Sequence, residues 1–421
     1  MKRTTIAAVF SVAMLASTGA LADDAVVRDS DLFERWLRAS PEVAAWRMQV
    51  GSARFDVITA GLLPNPNFLF STTQLVTGEN TNGQGQYTLQ LSLPLPIFGQ
   101  VGKRQAAAEA YVTVAEVNVR YAVWQRAGDI QMAMLDRAYA AARIEMLEKN
   151  LDELVKIEVI VKTRTSAGAN SSYDVLRVQT SEASMRASLD NARIARDRAE
   201  ANLLALIGDP SLTTAPLTRA GLAGFTGPED EGQLIELALA RRPDLELTRR
   251  NVVANEITAS AWRRNAVPVP SLFVAGTIGT GFTTAMAGPN FYLTAGISID
   301  LPTFGRNQGA IGRAENDAEA NRVLGKSLEQ RIRVEVTGAW RARQNAKRAL
   351  DDFRAKGLSA AGELMTRAEI TYQAGNFKIA ELFDAYQTAW DARAQELDLA
   401  RQMTDAEATV ERYCLLLPLG K

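Results

Sequence analysis

The chain has 421 residues, enough for two ordinary domains, and its net charge of −1 excludes the strongly basic surface of a nucleic-acid-binding protein. It contains no histidine and a single cysteine, Cys414. The commonest catalytic base and metal ligand is therefore missing and no intrachain disulfide can form, so we expect no enzyme, no metal site and no cofactor.

The first 22 residues have the pattern of a secretory signal peptide. Lys2 and Arg3 precede an apolar run over residues 6–15, and residues 20–22 read Ala-Leu-Ala, with small residues before the expected cleavage site. We therefore expect an exported protein whose mature chain begins at Asp23. No later stretch of the sequence reaches the roughly 18 uninterrupted apolar residues of a transmembrane helix. The expected mature N-terminus also has no cysteine for a lipid anchor.

The remaining sequence contains two copies of one unit, over residues 23–225 and 226–421. Each copy begins with a predicted helix, over 30–61 and 231–265. A Pro-X-Phe-Gly pattern then recurs at an offset of 206 residues, each time between a predicted strand and a long predicted helix. Because proline fixes φ and glycine frees it, the pattern predicts a joint where strand changes to helix. The joint residues are Pro96 and Gly99 in the first copy and Pro302 and Gly305 in the second.

Four segments have the period-2 alternation of half-buried strands, at about residues 67–77, 86–96, 271–281 and 291–300. This alternation is compatible with two surface hairpins on a soluble domain. It is equally compatible with strands that cross a bilayer, because about ten residues form a tilted membrane strand with one lipid-facing side. The long helices that follow favour the membrane interpretation.

Two stretches without proline, residues 97–209 and 303–417, follow the joints. A single glycine-centred break, at Gly168 or Gly375, divides each stretch into a helix of about 60 residues and one of about 35. Apolar residues spaced three and four apart predict coiled-coil packing of these helices. We therefore expect two antiparallel helical hairpins with their tips near the two glycines.

One chain has too few strands to close a membrane sheet. In lipid an open sheet edge leaves backbone groups unpaired, at several kcal/mol each. Small membrane barrels need about eight strands. Two copies of this chain would provide eight strands, whereas three would provide twelve and enclose an open lumen.

In the order of these features the chain resembles the TolC family of outer-membrane efflux channels. The resemblance covers nearly all of the mature chain and includes the repeat, the Phe-Gly joints, the tip sequences at 168–176 and 375–382, and Arg-Arg-Pro-Asp-Leu at 241–245. Leu-Pro-Asn-Pro at 63–66 and Phe-Gly-Gln-Val-Gly-Lys-Arg at 98–104 are most similar to the branch that serves heavy-metal efflux pumps.

The resemblance implies a mixed α and β fold. Four strands per protomer would complete a twelve-stranded barrel of a homotrimer in the outer membrane of a Gram-negative bacterium. Long helical hairpins would continue the barrel as a tunnel through the periplasm. The family also implies docking to a periplasmic adaptor and, through it, to an inner-membrane pump of the RND class. Such a channel conducts solutes passively and has no catalytic residues.

The resemblance places candidate functional residues near the second tip. Glu381 and Asp384 match the acidic residues of the family's periplasmic aperture, and their spacing of one helical turn would give a trimer two stacked acidic rings. Tyr372 and Asp174 match positions that tie neighbouring helix pairs in the closed tip. The basic residue expected in that lock is Phe377 here, so one electrostatic tie is missing.

Two other functions remain compatible with the sequence. A periplasmic adaptor or another structural coiled-coil protein would also be exported and rich in helical hairpins, but it would be extracted without detergent. A type I secretion duct for proteins would share the channel fold and differ only in cargo. The sequence does not separate these cargoes, because the partner pump selects them.

Overall fold

The computed structural model describes residues 29–74, 76, 85–166, 172–209, 225, 227–280, 289–374 and 376–415. The predicted signal peptide and both predicted tip glycines, Gly168 and Gly375, lie outside these ranges. In chain order the helices and strands are α1 Asp29–Ala39, α2 Pro41–Gly61, β1 Asn67–Gln74, β2 Gly85–Pro94, α3 Gln100–Ser166, α4 Ser172–Ile207, α5 Glu231–Arg241, α6 Pro243–Asn265, β3 Pro270–Thr280, β4 Pro289–Ile299, α7 Gln308–Asp352, α8 Ser359–Gln373 and α9 Ile379–Cys414.

The helices are arranged as expected, with two differences. The predicted first helix of each copy is divided in two, because Pro41 and Pro243 begin α2 and α6 after a residue with extended backbone. The long helix of the first copy, α3, is continuous over 67 residues. Its counterpart consists of α7, a π-helical segment over Phe353–Leu358, and α8. None of the helices in the described ranges is both long and apolar enough to span a membrane.

The four strands form one antiparallel sheet in the order β1-β2-β3-β4, so β2 and β3 join the two copies. The strand ends differ slightly from the expected ones. β1 is described as far as Gln74, and residues 75 and 77 of the predicted first strand lie outside the described residues; β2 ends at Pro94 rather than 96. Within the described part of the protomer, β1 and β4 are the edges of the sheet.

The register gives the sheet two chemically different faces. Directly paired residues share a face, and the face that contains Leu91, Val274 and Ala295 is apolar over nearly its whole area. Its large side chains are exposed in the single protomer: Phe68, Phe70, Tyr87, Leu89, Leu91, Leu93, Leu272, Val274, Ile278, Phe291, Leu293, Ile297 and Ile299. The described residues of the opposite face are uncharged and mostly polar: Asn67, Leu69, Ser71, Thr73, Gln86, Thr88, Gln90, Ser92, Pro94, Ser271, Phe273, Ala275, Thr277, Gly279, Asn290, Tyr292, Thr294, Gly296 and Ser298.

The two joints begin alike. The Ile97 backbone N–H donates to the Leu95 carbonyl oxygen (2.8 Å), and the Thr303 N–H donates to that of Leu301 (2.9 Å). Each bond closes a three-residue turn centred on Pro96 or Pro302, and the fixed φ of proline suits the centre of such a turn. The prolines therefore match at the offset of 206 residues.

The residue with positive φ is not the expected one in the second joint. Gly99, at φ 82°, directly precedes α3, but Gly305 does not have a positive φ. Asn307, at φ 58°, adopts that conformation directly before α7. In the second copy, two more residues separate the proline turn from the helix. The left-handed backbone conformation that precedes the helix is therefore adopted by Asn307.

The helix starts confirm this pairing of Gly99 with Asn307. Their carbonyl oxygens accept the first helical bonds, from Lys103 and Ile311. Each is followed by a glutamine whose side-chain oxygen accepts from the backbone N–H two residues earlier. The two glutamines are Gln100, which accepts from Phe98 at 3.0 Å, and Gln308, which accepts from Arg306 at 2.7 Å.

Each copy has its own apolar core, in which its short helix covers its long helices. The core of the first copy comprises Leu32, Phe33, Trp36, Val43, Trp124, Ala127, Ile130, Ala133, Met134, Leu203 and Ile207. The core of the second comprises Leu234, Ala238, Leu245, Ile332, Val336, Ala339, Val410 and Cys414. α1 and α5 thus occupy equivalent places in the two copies.

A buried arginine connects the two copies. Arg242, in the Arg-Arg-Pro-Asp-Leu sequence, donates to Asp244 (2.7 Å) and to Glu335 of α7 (2.6 Å). Its guanidinium also lies over the rings of Trp124 (5.2 Å) and Tyr413 (5.7 Å), one from each copy. We call this group the arginine clamp. It explains why an arginine with its fixed donor fork, rather than a lysine, occupies position 242.

The clamp keeps Glu335 ionised. Burial raises the pKa of Glu335. Hydrogen bonds from Arg242 and Arg331 lower it by more, so the pKa of Glu335 lies below the ordinary glutamate value. A depressed folded-state pKa stabilises the fold above the unfolded-state pKa, and this contribution is lost as the pH falls through the folded-state pKa. The clamp is therefore fully effective at neutral pH.

Alanine substitutions can test whether Gly99 and Gly305 differ in backbone conformation. Gly99→Ala should lower stability by about 1–2 kcal/mol, because its positive φ is costly for an L residue and no neighbouring atom interferes with a new Cβ. Gly305→Ala is the matched control, since the space around it is equally open, and should leave stability within about 0.5 kcal/mol. Thermal unfolding of the detergent-solubilised protein, followed by circular dichroism, measures both. Equal effects of the two substitutions would contradict the assignment.

The arginine clamp should contribute more to stability than an exposed ion pair between the same helices. Arg242→Ala leaves Asp244 and Glu335 without their buried cation and should cost about 3–5 kcal/mol. Arg249→Ala removes an exposed pair between α6 and Glu329 of α7 (2.9 Å) and should cost less than about 1 kcal/mol. Denaturant unfolding at neutral pH compares the two variants. If Arg242→Ala is as stable as Arg249→Ala, the buried ion pairs of the clamp do not stabilise the fold.

Candidate functional site

The two helical hairpins meet near their tips in one apolar cluster, which we call the tip core. Its residues come from α3, α4, α8 and α9, and therefore from both copies. They are Leu154, Ile157, Val161, Val178, Ala368, Tyr372, Ile379, Leu382, Phe383, Ala385 and Trp390. Burial of these side chains joins the hairpins at the end where the sequence predicts an aperture.

Tyr372 and Asp174 both lie at the tip core. Tyr372 is only 3% exposed, at the end of α8, and packs in the same cluster as Val178 of α4. Asp174 is in the first turn of α4, next to Val175, which packs against the cluster. A carboxylate in this position also interacts favourably with the N-terminus of its helix. Tyr372 and the helix that carries Asp174 thus share one core.

Glu381 and Asp384 lie on the exposed side of the first turns of α9, one helical turn apart, whereas Leu382 and Phe383 between them are buried. Glu381 has a structural role that the sequence analysis missed. Its Oε2 accepts from the Lys378 backbone N–H at 2.8 Å, which forms part of a capping box at the start of α9. This cap requires an oxygen acceptor in the side chain at position 381, but the oxygen need not carry a charge.

Two side-chain hydrogen bonds at the tip core were not predicted from the sequence either. The Tyr386 hydroxyl donates to Glu369 of α8, and burial together with this bond raises the pKa of Tyr386. The Trp390 Nε1–H donates to Glu153 of α3 at 2.8 Å. These bonds connect α9 to α8 and to α3. Heptad spacing predicted that these helices pack together, but no motif marks the polar partners.

Between the tip core and the arginine clamp, α3 and α9 are joined by a series of polar contacts, which we call the polar seam. Arg393 donates to Asn150 (2.9 Å) and to Glu153 (2.9 Å). Further pairs follow at intervals along the same two antiparallel helices: Tyr139 with Asp398, Arg401 with Asp136, Gln131 with Glu411, and Arg412 with Asp129. The seam joins the two copies through hydrogen bonds and partly exposed ion pairs.

The described groups at this end are apolar packing and polar contacts between helices. Within the described ranges, no group of three or more His, Cys, Asp or Glu residues is placed to hold a metal ion. Cys414 is fully buried, and burial raises the pKa of its thiol to about 11. The thiol is therefore protonated at neutral pH and a poor nucleophile.

The sequence matches a family of outer-membrane efflux proteins. A model of the family described as "Outer membrane efflux protein" matches residues 35–209 and 234–414, one segment from each copy. The chain is 22% identical over 388 residues to the cobalt-zinc-cadmium resistance protein CzcC of Cupriavidus metallidurans, covering 88% of this chain and 85% of that protein.

Solved structures show the same fold at low identity. A membrane protein from Pseudomonas aeruginosa matches with a TM-score of 0.73 at 19% identity, covering 92% of both chains. VceC from Vibrio cholerae matches with a TM-score of 0.72 at 16% identity, covering 92% of this chain and 95% of VceC. With the family model matching most of its length, this chain belongs to the outer membrane efflux protein family and is an outer-membrane efflux channel of the TolC type.

Proposed function

We propose that three copies of this chain form an exit duct, which passively conducts small solutes from an inner-membrane pump and a periplasmic adaptor through the outer membrane. The observation that carries the proposal is the sheet, which has one apolar face, one uncharged polar face and two open edges. Pairing of β1 with β4 of the next copy satisfies both edges, and three copies give twelve strands. A barrel of that size has a lumen that side chains do not fill.

The arrangement of the helices also supports a closed trimer. They pack side by side in the order α2-α3-α6-α7 below the sheet and α4-α3-α9-α8 towards the tips. The outer helices of both layers carry exposed apolar side chains, which an adjacent copy would cover. On α2 and α7 these are Met48, Phe55, Ile58, Val323, Leu324 and Val334; on α4 and α8 they are Tyr173, Leu176, Ile194, Leu364 and Ile370.

The tip residues have proposed roles in this assembly. Glu381 and Asp384 would line the periplasmic aperture as two acidic rings, and Tyr372 with Asp174 would hold the closed tip. The turns around Gly168 and Gly375 would meet the hairpins of the adaptor. A pump of the RND class is the proposed partner in the inner membrane.

The assembly state tests the proposal directly. We expect the mature protein to fractionate with the outer membrane and to be a trimer in detergent, because four strands per chain cannot satisfy their edges alone. Light scattering coupled to size exclusion measures the protein mass in the micelle. A monodisperse monomer that is soluble without detergent would instead support a periplasmic adaptor or structural coiled-coil protein.

The acidic rings should determine ion selectivity. Six carboxylates at a narrow opening attract cations, and a divalent cation can bridge neighbouring copies. Glu381→Gln combined with Asp384→Asn removes both charges, while the amide oxygen of the new side chain at position 381 can still cap α9. In planar bilayers the resting channel should prefer cations and be blocked by periplasmic divalent cations, and this variant should lose most of both effects.

A second variant serves as the control for that measurement. Tyr372→Phe combined with Asp174→Ala should loosen the tip and raise resting conductance, but it leaves the acidic rings in place. Its cation preference and divalent block should therefore remain. If the charge-neutral variant keeps wild-type selectivity and block, Glu381 and Asp384 do not line the aperture.

The proposed cargo is a divalent transition-metal ion. The support is the match to a cobalt-zinc-cadmium resistance protein over most of both chains. A second match, 24% identical over 261 residues, is the pyoverdine export protein OpmQ of Pseudomonas aeruginosa, but it covers only 60% of this chain and 53% of OpmQ. A strain without this protein should become hypersensitive to cobalt, zinc or cadmium. Sensitisation to organic antibiotics alone would overturn the metal cargo but not the channel.

A further inference from the structure

The polar face of the sheet contains an aromatic side chain beside a glycine. Phe273 of β3 is directly paired with Gly296 of β4, and the neighbouring residues on this face are small or polar. A Cβ added to Gly296 would lie 2.7 Å from Cζ and 2.9 Å from Cε1 of the Phe273 ring, which is too close for any real contact. The space above Gly296 is therefore occupied by the far end of that ring.

This contact defines the direction of the ring. Neighbouring strands are about 4.8 Å apart, so a ring whose tip lies over the adjacent strand extends sideways along the sheet. A ring that projected away from the sheet would not approach the Gly296 backbone. Glycine is the residue that permits this position, because every other residue would place its Cβ in the space of the ring.

We propose that the Phe273–Gly296 pair sets the width of the duct at this level, by keeping three phenyl rings flat against the lumen wall. The inference rests on the proposed function, in which the polar face lines the lumen of a trimer. A side chain at position 296 would push the ring of Phe273 inwards in every copy. Three inward rings would narrow the lumen for bulky solutes, while small hydrated ions would still pass.

The same sheet provides a matched control on its opposite face. Gly276 of β3 lies beside the ring of Phe291, and a Cβ there would be 3.2 Å from Cε2. This pair belongs to the apolar face, next to Ile278 and Leu293. A substitution at Gly276 therefore displaces an aromatic ring in the same two strands, but towards lipid rather than towards the lumen.

The test measures access past Phe273 independently of the periplasmic tip. Ser298 lies on the polar face two residues beyond Gly296, about 6.6 Å nearer to the helices, and it is exposed. In a Ser298→Cys background, membrane-impermeant maleimides of increasing size are added to intact cells, so that they enter from outside and must pass the Phe273 level. The native Cys414 contributes little background, because its thiol is buried and protonated.

Gly296→Val should lower the labelling rate for a bulky maleimide by about tenfold or more, while the rate for a small maleimide changes by less than about twofold. Gly296→Ala should act in the same direction and is available if the valine variant fails to assemble. Adding Phe273→Ala to Gly296→Val should restore access for the bulky reagent. Gly276→Val should leave both rates unchanged.

The outcomes separate this inference from the proposed function. If the small reagent does not label Ser298→Cys in the otherwise native channel, the polar face does not line an open lumen and the proposed duct fails. If the small reagent labels that position but neither Gly296 variant retards the bulky one, the duct stands and the role of Phe273 is overturned. Equal retardation by Gly276→Val would also overturn it, because the effect would then be a general loosening of the sheet.

Discussion

The constraint on which the whole structure depends is the pairing of backbone groups at the edges of a four-stranded sheet. Lipid offers no hydrogen-bond partners, so in the proposed barrel the N–H and C=O groups along β1 and β4 would pair with neighbouring copies of the chain. The apolar face alone would favour insertion, but a single protomer cannot enter the bilayer without leaving two rows of groups unpaired. In the proposed trimer, insertion and association would therefore be one process, and the neighbouring copies would also cover the exposed apolar side chains on the outermost helices.

The contacts between the two copies differ along the helices. At the tip core the copies are joined by buried apolar side chains, and at Arg242 they are joined by the contact of its guanidinium with the Trp124 ring. Along the polar seam they are joined by ion pairs such as Arg393 with Glu153, whose side chains remain partly hydrated. Such pairs exchange with water at little net cost. Relative movement of the two hairpins is therefore resisted mainly at the two ends of the seam and little between them.

Much of this architecture could be predicted from the sequence because it depends on periodic patterns. Alternation defined the strands, and proline-free runs with heptad spacing defined the long helices. The prediction was weakest where one residue or a distant partner decides the geometry. A match of Pro302, Phe304 and Gly305 to the first joint could not show that Asn307 takes the left-handed position. Likewise, the bond of Arg242 to Glu335 depends on the packing of distant helices, and the bond of Glu381 to Lys378 depends on where α9 begins, because a capping box can be recognised only once the helix start is known.

The π-helical segment compensates for a one-residue difference in length between the long helices of the two copies. Before this segment in the chain, buried residues of α7 correspond to buried residues of α3 at an offset of 206, for example Leu350 and Ile144. After the segment, the offset is 207, for example Ala368 and Val161. One additional residue in an α-helix would rotate everything beyond it by about 100°. The wider π turn accommodates that residue, with the Phe353 ring against Gly357, so the second copy is one residue longer while the same faces meet at the tip.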